Sequence, residues 1–137
     1  MKTRLFLLPV ILLMNTLMVY GQGTLVIDQQ TRPASFGEAY YVIQTYSPIG
    51  QSFTPTMSSV GYVSLDLADN NPGNGLGATL YVNVCSGSIA GPVLESSTPV
   101  SMSDSSAGET VFLFPTAVSL TPGTTYYLEV NVQSGDQ

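Results

Sequence analysis

Two carboxylates, Asp66 and Glu129, are the one pair in this chain that could be asked to break a bond. Glycoside hydrolysis uses two acids about 5–5.5 or 6.5–9.5 Å apart. One of them must be buried enough to hold its proton. Both residues sit in runs that alternate apolar and polar side chains, which places them on an open sheet face rather than in a cleft. The chain has no His at all, so a Ser-His triad and a histidine-containing zinc site are excluded. Its serines have no base to activate them. The expectation is a non-catalytic module, either carbohydrate- or polymer-binding or, alternatively, a structural or adhesive spacer with no small ligand.

Binding chemistry has two candidates. Tyr62, Ser64 and Asp66, with Tyr81 and Asn83 and with Tyr127, Glu129 and Asn131, would form one surface if their strands were neighbours. Flat rings beside carboxylates and amides are what a sugar site uses. The same residues also read as ordinary cross-strand pairs on a wet face, and the lack of any Trp favours that plainer reading. The second candidate is calcium. Asp66, Asp69 and Asn71, with Asn70 and Asn74 nearby, offer hard oxygen ligands on a Gly-containing loop, and Ca²⁺ takes six to eight oxygens. The spacing is not that of an EF-hand, because Gly73 falls where a ligand should be. An Asx-rich hairpin loop explains the same composition. No other cofactor is expected.

The elements that must position these residues are strands. Val60–Ala68 has Val63, Leu65 and Leu67 on one face and Tyr62, Ser64 and Asp66 on the other, the period of two that marks a half-buried strand. Ala78–Cys85 alternates in the same way, as does Thr125–Val132. Further strands are expected at Thr24–Asp28, Ala39–Tyr46 (or a short helix there), Gln51–Thr54, Thr110–Phe114 closed by Pro115, and Val118–Leu120. A weaker one lies within Val93–Met102, cut by Pro99. Asp69–Gly77 is a loop by composition, and Thr121-Pro122-Gly123 is a tight turn. Eight or nine short strands at regular spacing argue for an all-β, antiparallel, jelly-roll-like β-sandwich. The expected inward set is Val63, Leu65, Leu67, Leu80, Val82, Val84, Phe112, Phe114, Leu128, Val130 and Val132. Each contributes about 1.5–3 kcal/mol when fully buried.

The first 21 residues are set apart. Lys2 and Arg4 precede the apolar run Leu5–Met14, and small residues lead to a cut after Gly21. That is the pattern of a secretory signal peptide. Residues 22–137 then form a single domain of ordinary size, with Arg32 as the sole cation against nine acids. Such a chain is not expected to bind nucleic acid, because phosphate contacts need Lys and Arg. No later apolar run is long enough to span a membrane. Cys85 is the only cysteine, so no internal disulfide forms. It reads as a small buried strand residue, with an intermolecular bridge as the alternative.

Four segments carry a resemblance: TLVIDQQ, GQSFTPTMSSVGYVSLDL, GATLYVNVCSGSIAGPVL and FLFPTAVSLTPGTTYYLEV. Together they cover most of residues 22–137. The chain resembles the secreted β-sandwich modules of environmental bacteria, carbohydrate-binding-like in architecture, that occur on exported surface proteins of the PEP-CTERM type. The resemblance implies a secreted or cell-surface location, and an extracellular polysaccharide or another surface protein as partner. It transfers no ligand residues, and fold likeness does not deliver function. In similar modules the Tyr-rich strand runs on through Ser-Gly-Asp into further strand sequence. Here the sequence stops at Ser134-Gly135-Asp136-Gln137, so a last strand is expected to be missing and open edges to result.

Overall fold

The computed structural model describes residues 25–30 and 41–135. The proposed signal peptide, Thr24, Arg32 and the rest of the loop ending at Gly37 lie outside them. Two antiparallel sheets face each other. A short helix, α1 (Ile43–Tyr46), precedes seven strands: β1 (Ile49–Phe53), β2 (Ser59–Ala68), β3 (Ala78–Ser86), β4 (Val93–Ser96), β5 (Val100–Met102), β6 (Ala107–Ser119) and β7 (Tyr126–Gly135). The larger sheet has the order β1-β7-β3-β4, and β5 shares the β3 edge with β4. The smaller sheet is β2 with β6. The chain is mostly strand, sandwich-like and not closed into a barrel.

Alternation decides which face each strand buries. Leu80, Val82 and Val84 of β3 are buried against Phe112 and Phe114 of β6, with Val130 of β7 beside them. Val63, Leu65, Leu67, Leu128 and Val132 pack on the same core and are half-buried. Tyr126 closes one end. Its ring is 6.0 Å from that of Phe53, and its hydroxyl accepts the Thr121 amide at 3.0 Å, which gives a buried phenol the partner it needs.

The link between β4 and β5 ties the two sheets together. Ser97 donates its amide to Val82 O at 2.8 Å, and its hydroxyl accepts the Val82 amide at 2.9 Å. The next residue, Thr98, donates to Leu113 O of β6 at 2.8 Å.

Three expectations are corrected. Leu25–Asp28 is not a strand. It is held by side chains: the Asp28 carboxylate accepts the Thr56 amide at 2.8 Å and the Thr56 hydroxyl, and Gln29 donates to Thr54 O. Ile43–Tyr46 takes the helical alternative, with the Thr45 and Tyr46 amides both on Val42 O at 3.1 Å. It stops at Ser47, where Pro48 disfavours a helical residue before it. Finally, Thr110–Phe114 and Val118–Leu120 are not two strands. β6 runs through Pro115 because the register jumps from Val60↔Val118 to Tyr62↔Leu113. Residues 114–117 bulge opposite Gly61, so the missing proline N–H breaks no ladder bond.

Candidate functional site

The proposed sugar surface is divided in two. Tyr62, Ser64 and Asp66 lie on the outer face of β2–β6, opposite Leu113, Val111 and Glu109. Tyr81, Asn83, Tyr127, Glu129 and Asn131 lie on the outer face of the larger sheet, in the pairs Tyr81↔Asn131, Asn83↔Glu129 and Cys85↔Tyr127. The two sets point away from each other across the core. Asp66 and Glu129 therefore cannot flank one glycosidic bond. The acid that Asp66 meets is Glu109, on an exposed face, where the Ser64 hydroxyl donates to Glu109 at 2.6 Å.

The larger sheet does bring Asn83 and Glu129 together, but they serve each other. The Asn83 amide donates to Glu129 at 2.8 Å, and its carbonyl accepts the Ser96 hydroxyl at 2.7 Å. Asn83 is only 8% exposed. Both ends of the amide are thus committed inside the protein, leaving Tyr81 and Tyr127 half-buried at the flanks. Cys85 is fully buried, and its sulfur lies 4.0 Å from a Glu129 oxygen. Burial first, and the Glu129 charge second, push the thiol pKa up. A thiol so placed does not meet a thiol of another molecule, which removes the bridging alternative.

The calcium candidates are also occupied. Asp69 accepts the amides of Asn71 and Ser105, both at 2.8 Å. Asn71 is exposed, and Asp66 points outward from β2. Asp104, which sequence reasoning passed over, accepts the Gly73 amide at 2.7 Å and the Gly75 amide at 2.8 Å. These bonds hold its pKa below the ordinary value. Gly73 and Gly75 have φ of 86° and 79°, a conformation that suits glycine. The two carboxylates staple loop 69–77 to loop 103–106. The signal was present in the sequence as an acid in a short polar loop, but nothing local says which distant amides it will reach. Among the described residues no group of three or more acids and cysteines is placed to hold a metal ion.

The described residues also form a concave feature. An open groove of about 420 Å³ lies between β5 and the start of β6, lined by Val100, Ser101, Met102, Ser103, Ser106, Ala107, Gly108, Glu109, Thr110 and Val111. The Ser106 hydroxyl is buried there without a hydrogen-bond partner. No family profile, curated protein or solved structure matches the chain.

Proposed function

We propose that the chain is a non-catalytic structural or adhesive β-sandwich module that works outside the cell. One observation carries this: the polar groups best suited to ligand chemistry are spent on internal contacts. Asn83 is used up by Glu129 and Ser96, and Asp69 and Asp104 by loop amides. Such groups fix a shape rather than wait for a substrate. The leader-like first 21 residues and the resemblance to exported surface modules support the location. The test is retention on polysaccharide columns and glycan arrays. The module is expected to be retained by none of them; a glycan that holds the protein and releases the Tyr81→Ala or Tyr127→Ala variant would overturn the reading.

A second reading, binding of an extracellular polysaccharide or other polymer, is favoured by the groove between β5 and β6. Ser101, Thr110 and Glu109 offer hydroxyls and a carboxylate beside the apolar Val100, Met102 and Val111. That mixture suits a sugar ring. Glycan retention lost in Glu109→Gln and kept in Tyr81→Ala would select this reading over the first.

A further inference from the structure

We propose that Asn74–Gly75, in the loop between β2 and β3, is a latent self-modification site, and that the Asp104 carboxylate is the lock that keeps it closed. The reaction converts the Asn74 side-chain amide into an aspartyl or isoaspartyl linkage, with water as the only co-reactant. It goes beyond the spacer reading and does not depend on it.

The sequence singles out this bond. The nucleophile is the backbone nitrogen of the residue after the asparagine, so that residue governs the rate. Asn74 is the one asparagine followed by glycine, which has no Cβ to keep the side-chain carbonyl away. Asn71 precedes Pro72, which has no N–H to give up. Asn15, Asn83 and Asn131 each precede a β-branched residue, whose stiff side chain crowds the approach.

The fold prepares one reacting atom and restrains the other. Asn74 and Gly75 are exposed, so water reaches the bond. The Leu76 amide donates to Asn74 Oδ1 at 2.7 Å. It draws electrons from the carbon to be attacked and faces the charge that attack would place on that oxygen. The Gly75 nitrogen is held back. Its N–H donates to one Asp104 oxygen at 2.8 Å, while the other Asp104 oxygen accepts the Gly73 amide at 2.7 Å.

Two effects of Asp104 compete. As a base it would take the Gly75 proton. As a negative charge it opposes the negative nitrogen that must form. A general base works best with a pKa near the operating pH, and Asp104 is held below even the ordinary carboxylate value, by the Gly73 amide first and the Gly75 amide second. Its basicity is therefore too small to help. Repulsion between two negative charges at hydrogen-bond distance remains, and the carboxylate acts as a brake.

The step balances. The Gly75 nitrogen gives its proton to solvent base and bonds to Asn74 Cγ. The Cγ–Nδ2 bond breaks, and ammonia leaves with a proton from solvent, closing a cyclic imide. Water opens the ring at either carbonyl, so one water is consumed and one ammonia released. Opening at the original main-chain carbonyl reroutes the backbone through Cβ and Cγ, one carbon longer. Either product adds a carboxylate to the loop that Asp69 and Asp104 staple to residues 103–106. Ser103 and Ser106 of that second loop line the groove beside β6, so unlocking the site loosens a groove wall.

The full chain is incubated at neutral pH in native buffer and in urea, and conversion at each asparagine is followed by peptide mapping with mass spectrometry. In urea, position 74 is expected to convert several-fold faster than any other asparagine. In the native chain it is expected to convert several-fold more slowly than in urea, a comparison that needs no variant. Asp104→Ala is expected to bring the native rate close to the urea rate. Asp69→Ala frees the Asn71 and Ser105 amides but leaves the Gly75 bond, and is expected to stay near wild type. Circular dichroism checks that both variants keep the sheets. Equal rates in native buffer and urea, an Asp104→Ala rate unchanged from wild type, or equal acceleration by Asp69→Ala would each overturn the proposal.

Discussion

Replacing Asn83 by Ala removes two hydrogen bonds at once and strands the Glu129 carboxylate and the Ser96 hydroxyl on a half-buried surface. Leaving such groups unpaired costs about 1–3 kcal/mol, and urea titration of Asn83→Ala should show a loss in that range. Asp104 makes a prediction about acid. Its folded-state pKa is lowered, chiefly by the Gly73 and Gly75 amides. The folded state therefore gains from this group above its unfolded pKa, near 4, and loses the gain as pH falls through the lower folded value. Stability measured from pH 6 down to pH 2 should drop less steeply in Asp104→Asn, and the Gly73 and Gly75 amides should exchange faster in that variant already at pH 6. Cys85 should resist alkylation in the native protein and react once it is denatured, because its thiol is buried and its ionisation disfavoured.

At the level of the strand, the core is graded, and mutations should follow the grade. Phe112 is fully buried, and Phe112→Ala should cost about 3–5 kcal/mol. Leu65 points the same way but is half-buried, so Leu65→Ala should fall below the 2–5 kcal/mol of a fully buried leucine. Equal losses in denaturant titrations of the two variants would contradict the grading. Gly50 lies in β1 opposite Glu129, and a Cβ there would overlap the Leu128 carbonyl. The strands themselves were legible: β2, β3 and β7 follow from alternation within a few residues, and every expected inward residue faces the core. Local pattern failed where something distant decided. The stretch around Val26 and Ile27 has the composition of a strand, yet Asp28 and Gln29 hold it by side-chain bonds. Pro115 looks like a stop, yet the bulge against Gly61 accommodates it.

Over the whole molecule, the assignment of strands to sheets was not legible, and this is what divided the candidate site. Tyr62 and Tyr81 have the same kind of sequence environment, and only long-range pairing puts them on opposite outer faces. A period of two says which residues share a side of one strand. It says nothing of which strand comes next. Asp104 was missed for the same reason, since its partners are 29 and 31 residues away.

The bonds of Ser97 to β3 in one sheet and of Thr98 to β6 in the other act as the spine of a book. With that side stitched, sliding of one sheet past the other is resisted there, and the sheets part more readily from the β1–β2 margin, like pages from the fore-edge. Tension applied between β4 and β6 would load these few bonds together with the short β3–β4 and β3–β5 ladders, so the spine helps set how the module yields when it is pulled.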